Sequence, residues 1–213
     1  MVGKIIAITQ QKGGVGKTTI AANLGVAIGL KNKRVAFVDT DPQGSLGQWF
    51  MARNDLDDKK IQVKDLGFRT ASAWGARYEA NNIAKDYDVV IIDTPPKMGI
   101  DGRPSIEVAD LVIIPITPSQ LDLWASEPTF DLVDSEKKAS LLVLNRAASQ
   151  TKLTGKILED VKKTDRKIAK TVIGNRVDFA DMMGRGRSVV EKRKTKPAAL
   201  EITSLADEIL KQL

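Results

Sequence analysis

The chain has neither cysteine nor histidine in its 213 residues. Lack of cysteine excludes disulfides, thiolate metal sites, iron–sulfur clusters and cysteine nucleophiles, and lack of histidine removes the usual general base and the commonest zinc ligand. Catalysis must therefore rest on carboxylates, lysines, an oxygen-bound metal or positioned water. No apolar run approaches the ~20 residues of a membrane span, and the N-terminus shows no charged-then-apolar leader pattern. Nor does a Gly/Ser linker, a repeat or a low-complexity tract divide the sequence. A single cytoplasmic domain over residues 1–213 is expected.

The net charge of +6 is unevenly placed. Residues 1–145 hold 17 Lys+Arg against 18 Asp+Glu, whereas residues 146–213 hold 16 against 9. The whole excess lies in the last third, which points to a polyanion partner.

Short apolar runs recur at Lys4–Thr9, Arg34–Asp39, Ile61–Leu66, Tyr87–Asp93, Leu111–Ile116 and Leu141–Asn145, with a further strand expected at Lys170–Ile173. Runs such as Val89-Val90-Ile91-Ile92 are apolar without alternation, as strands covered on both faces must be. The pattern predicts an α/β fold, a doubly wound, mostly parallel twisted sheet with helices on both faces. Between the first two strands, Ile20, Leu24, Ala27 and Ile28 share one helical face, and that helix should stop near Lys31-Asn32. At the other end Leu205, Ile209, Leu210 and Leu213 form a stripe that packs on the sheet.

Residues 11–19 read Gln-Lys-Gly-Gly-Val-Gly-Lys-Thr-Thr between the first strand and its helix. Gly13, Gly14 and Gly16 let the backbone around Val15 turn tightly and aim N–H groups at phosphate oxygens, while the helix presents its positive end. Lys17 would reach the β- and γ-phosphates, Thr18 would bind Mg²⁺ through its hydroxyl, and Thr19 would reach the α-phosphate. The match to G-x4-G-K-[ST] is imperfect, because Gln11 stands where the first glycine belongs.

Two further segments bring acids to the carboxyl edge of the sheet, where ligands of open α/β folds bind. Val38-Asp39-Thr40-Asp41-Pro42 ends the second strand; taken alone, such a segment is more often a turn or a helix cap. Asp88-Val-Val-Ile-Ile-Asp93-Thr94-Pro95-Pro96 delivers Asp93, a candidate Walker B ligand for Mg²⁺, into a stiff Thr-Pro-Pro loop.

Together, Lys12-Gly13-Gly14-Val15-Gly16-Lys17-Thr18-Thr19, the Asp39–Asp41 box and Asp93 resemble the deviant Walker A P-loop NTPases of the ParA/MinD family, and the likeness runs through Gly184–Glu191 to the C-terminal helix. The resemblance implies that Lys12 reaches the nucleotide held by a partner subunit, in a homodimer that sandwiches two ATP molecules. It implies that Asp41 orients the attacking water, that Asp39 supports the Mg²⁺ site, and that Asn145 contacts adenine; a plain turn at Asn145-Arg146 is the other reading. Catalytic roles thus fall to Lys12, Lys17 and Asp41. With its first strand at Lys4, the sequence resembles the short ParA-type partition ATPases, which lack an N-terminal helix-turn-helix extension, so a sequence-specific repressor is not expected.

ParA-type proteins bind double-stranded DNA nonspecifically as ATP dimers on the nucleoid and are released when a ParB-like adaptor stimulates hydrolysis. The local counterpart is Arg185, Arg187, Lys192, Arg193, Lys194 and Lys196, six cations within twelve residues. They suit phosphate neutralisation or, alternatively, a solvated loop. MinD-like membrane association is disfavoured, since the final segment from Glu201 carries three acids and one lysine and would not attract anionic lipid. An acidic helix carrying Asp122, Glu127, Asp131, Asp134 and Glu136, interrupted at Pro128, either docks a basic peptide or faces solvent. The rival from another class is a metabolic enzyme that passes the ATP γ-phosphate to a small molecule.

Overall fold

The apolar runs at 4–9, 34–39, 87–93, 111–116 and 141–145 become strands whose successive side chains enter two different cores. The computed structural model describes residues 2–56, 61–63, 65–96, 102–148, 152–192 and 196–213. Its strands are β1 (Lys4–Ile8), β2 (Val35–Asp39), β3 (Leu66–Thr70), β4 (Val89–Asp93), β5 (Leu111–Ile116) and β6 (Ser140–Leu144). They form one parallel sheet in the order β3-β2-β4-β1-β5-β6. Ile6, Ile8, Val35, Phe37 and Ile91 point into one core, and Ile5, Ala7, Ala36, Val38 and Ile92 into the other.

Helices α1 (Lys17–Gly29), α2 (Ser45–Asn54), α8 (Val177–Met183) and α9 (Pro197–Leu210) cover the first face. Helices α3 (Ala76–Ile83), α4 (Arg103–Val108), α5 (Gln120–Trp124), α6 (Glu127–Ser135) and α7 (Lys152–Lys162) cover the second. The doubly wound expectation therefore holds, with every strand pair parallel. α1 is more deeply placed than a one-faced helix: all residues from Ile20 to Ile28 are buried, because it lies between the sheet and α9. A Cβ on Gly25 would sit 2.2 Å from the Phe37 ring, so glycine there permits the close approach of helix to sheet.

Three local expectations need correction. The third strand is Leu66–Thr70, not Ile61–Leu66. As an edge strand it exposes Arg69 and Thr70, and those polar residues disguise it. Lys170–Ile173 is not a strand. The chain there follows β6 through isolated bridges, while Glu208 accepts the backbone N–H groups of Lys170 and Thr171 at 2.8 Å each and so diverts them from a ladder. The acidic run is two helices, with Pro128 in the first turn of α6, a position where its missing N–H costs nothing. The C-terminal stripe enters the core of the first face, but chiefly against α1 rather than directly on the sheet: Leu205 and Ile209 are buried, and Leu210 and Leu213 pack against that cluster.

Candidate nucleotide-binding site

The carboxyl ends of β1, β2 and β4 meet at one place. Parallel register sets Ile8 and Asp39 on either side of Asp93, so the loop after β1 opens beside two carboxylates. Residues 10–16 form that loop, with Gly14 and Gly16 at φ of 76° and 93°. A Cβ on Gly16 would meet the Asn145 amide at 2.4 Å, so glycine is required there twice over. Asn145 Nδ2 donates to the Val15 carbonyl at 2.7 Å and braces the loop from β6.

α1 begins at Lys17, so its unpaired N–H groups face the loop. The Lys17 ammonium donates to the Gln10 carbonyl at 3.1 Å; burial lowers its pKa, opposed by the charges of Asp93 and Asp41. Thr18 Oγ1 donates to Asp93 Oδ2 at 2.6 Å, whereas Asp93 Oδ1 is buried without a partner. Burial pushes the Asp93 carboxyl up to about 7, and the Thr18 bond only partly opposes it. Asp39, likewise raised by burial, accepts the N–H groups of Asp41 and Gly47 at 3.0 Å each. It thereby fixes both the Asp41 turn and the start of α2. Asp41 lines a cavity of about 600 Å³ together with Gly13, Gly14, Gly16, Lys17, Thr18, Thr19, Pro96 and Arg146. A 150 Å³ extension lies beyond Gly16 and Thr19, bounded by Asn145, Phe179, Ala180 and Met183.

An unpartnered buried carboxylate oxygen beside a hydroxyl is a suitable donor set for a hard divalent cation. Among the described residues no three carboxylates gather at one point, so a cation here would complete its shell with phosphate and water, as Mg²⁺ at nucleotide sites does.

Lys12 takes a different position. Its ammonium is ion-paired with the buried carboxylate of Asp122 on α5, which also accepts the Thr117 hydroxyl. Of the six cations in the basic run, Arg185 pairs with Asp181, Lys192 with both Asp178 and Asp181, and Lys196 with Asp178. Arg187 is half-buried, and its carbonyl accepts Trp49 Nε1 at 3.2 Å. Arg193 and Lys194 lie outside the described residues.

Sequence reasoning missed Asp122 as a partner of the loop, Asn23, and the Arg53–Glu191 pair. Asn23 Oδ1 accepts the Ser188 hydroxyl and the Val189 N–H at 2.8 and 2.9 Å. Arg53 meets Glu191 through two bonds of 2.9 and 2.7 Å, both side chains almost fully buried. Nothing in the local sequence separates these from surface polar residues.

A glycine loop closing onto a helix N-terminus, with a lysine, a threonine and a strand-end aspartate converging, defines a P-loop nucleotide-binding protein. More narrowly, the chain belongs to the CobQ/CobB/MinD/ParA nucleotide-binding domain family, whose model matches residues 6–190. It is accordingly a nucleotide-binding ATPase with ATP and Mg²⁺ as cofactors. It is 29% identical to the maintenance of carboxysome distribution protein A of Halothiobacillus neapolitanus, covering 96% of this chain and 95% of that one. It is 30% identical to the sporulation initiation inhibitor protein Soj of Bacillus subtilis, over 97% and 98%. The fold superimposes on the Pyrococcus furiosus cell division ATPase MinD with a TM-score of 0.82 at 22% identity, over 99% and 100%.

Proposed function

We propose that the chain is a ParA-type positioning ATPase in which ATP drives a sandwich homodimer, the dimer holds double-stranded DNA nonspecifically, and hydrolysis prompted by a ParB-like adaptor releases it. The observation that carries this reading is Lys12. It stands within the phosphate loop, yet its ammonium lies on Asp122 rather than over its own cleft, so it is available to a second subunit once it leaves that carboxylate.

Within one subunit, the N–H groups from Gly13 to Thr19 and the Lys17 ammonium hold the phosphates. Thr18 and Asp93 would hold Mg²⁺, which would supply charge neutralisation for the phosphates. Asp39 supports that site by fixing the loop that carries Asp41, and Asp41 orients the attacking water. Phosphoryl transfer needs chiefly positioning and charge stabilisation, which a chain without histidine can provide. Asn145 serves first as a brace for the loop and, at the mouth of the 150 Å³ extension, as an adenine contact.

The basic segment from Arg185 to Lys196 is the DNA surface, placing the protein on the nucleoid in the cytoplasm. Among the described residues no helix is long and apolar enough to cross a membrane. The apolar face of α9 is occupied by the core, so we assign no membrane partner. The cargo is a plasmid, a chromosome region or a large protein assembly; the two relatives' names divide between carboxysome distribution and sporulation.

Cosedimentation with duplex DNA, in ATP, in ADP and without nucleotide, at about 50 and 200 mM salt, tests the reading. Binding confined to ATP and weakened by salt supports it. Binding indifferent to nucleotide, or transfer of the γ-phosphate to a small metabolite, removes it.

A further inference from the structure

α8 has two working faces. On one, Phe179, Ala180 and Met183 bound the cavity extension beside Gly16, Thr19 and Asn145. On the other, Asp178 and Asp181 meet the basic segment. Arg185 Nη2 lies 2.7 Å from Asp181, Lys192 Nζ lies 3.1 and 3.0 Å from Asp178 and Asp181, and Lys196 Nζ lies 3.3 Å from Asp178.

We propose that Asp178 and Asp181 are an internal counter-anion that competes with DNA phosphates for Arg185, Lys192 and Lys196, and that nucleotide in the adjoining cavity loosens this hold through α8. The inference rests on the DNA-binding reading above and names its regulation.

Three physical points carry it. First, a cation already paired with a carboxylate releases fewer counterions when it meets a phosphate, so its contribution to DNA binding is reduced until the pair opens. Second, the pairs are partly solvated: the side chains of Lys192, Asp178 and Asp181 are 35%, 26% and 28% exposed. Such pairs are worth little and exchange readily for another anion. Third, the segment is tied to the nucleotide side at several points besides α8. Met183 and Gly184 line the main cleft, and Asn23 of α1 holds Ser188 and Val189. Arg53, at the end of the helix that Asp39 caps, holds Glu191 and the Gly186 carbonyl. A change around the phosphates therefore has a continuous packed route to the cations.

The test compares the full-length wild type with Asp178→Asn/Asp181→Asn, measuring anisotropy of a fluorescein-labelled duplex of arbitrary sequence across salt, without nucleotide and with a slowly hydrolysed ATP analogue. Neither aspartate belongs to the catalytic set, so thermal stability should stay near wild type, whereas nucleotide affinity, because coupling is reciprocal, should rise by no more than the factor by which the nucleotide dependence of DNA binding falls; both are measured in parallel. The expected result is a rise in nucleotide-free DNA affinity of roughly five- to tenfold, a steeper salt slope by about 2, and a smaller ratio of ATP-bound to nucleotide-free affinity. Lys192→Met in the same background should reverse most of the gain. An equal rise in both nucleotide states would mean a simple charge effect and overturn the latch. An unchanged ratio in a protein whose wild type binds DNA with ATP also overturns the latch and leaves the DNA reading intact. Absence of DNA binding by every form, with ATP bound, overturns both.

Discussion

Replacing Asp93 by asparagine should stabilise the nucleotide-free protein at pH 8 while weakening its response to Mg·ATP. Burial raises this carboxyl from an ordinary 3.8 to about 7. The folded chain therefore holds the proton more tightly than the unfolded chain, and stability is lost as pH rises from about 4 through 7. At ~1.4 kcal/mol for each tenfold change in proton affinity, the full loss is about 4 kcal/mol. Asparagine carries no charge, and its carbonyl still accepts the Thr18 hydroxyl. Its amide nitrogen, however, takes the place of the unpartnered Oδ1, which returns about 1–3 kcal/mol of the gain. The net expectation at pH 8 is a gain of about 1–3 kcal/mol, or roughly 3–10 °C in Tm for a domain of this size. At pH 4 the difference should vanish or reverse. Thermal unfolding at pH 4 to 8, with and without Mg·ATP, reads both halves. With Mg·ATP the wild type should gain far more than the variant, because the buried carboxylate then faces a cation. A variant less stable than wild type at pH 8 without nucleotide would refute the account of a carboxylate held ionised at a cost for its ligand.

Lys17→Ala should abolish ATP binding in equilibrium titrations while leaving the fold intact. Gly16→Ala should also lose binding, since it imposes a Cβ at φ 93° against the Asn145 amide; circular dichroism would separate loop damage from unfolding. Arg53→Met strands the buried Glu191 carboxylate and should cost about 3–5 kcal/mol in urea unfolding, with Arg53→Met/Glu191→Met much less damaging. Asp122→Asn should free Lys12 and raise ATP-dependent self-association in light scattering; reduced association would count against the Lys12 assignment.

The phosphate loop and both carboxylate boxes were legible because each obeys a local rule: apolar strand, tight turn, helix start. Local rules do not reach across the fold. Asp122 lies 110 residues from Lys12, and in the sequence it is one acid among five. Arg185, Lys192 and Lys196 likewise read as unpaired in the sequence, because Asp178 and Asp181, which meet them, stand on a separate helix. β3 was displaced by an edge-strand pattern in which only Leu66 and Phe68 face the core. Lys170–Ile173 has the composition of a strand, but the N–H groups of Lys170 and Thr171 are taken by Glu208 of α9, and that of Ile173 reaches β6, at Leu144.

In the proposed dimer, Lys12 and the phosphate loop make a site that a second chain completes. Sedimentation equilibrium of Asp41→Ala with ATP, with ADP and without nucleotide tests it most directly, because that variant should bind ATP without consuming it. Twice the chain mass is expected with ATP alone, and single chains when Lys12→Ala is added. One mass under all three conditions, in a protein shown to bind ATP, would contradict it.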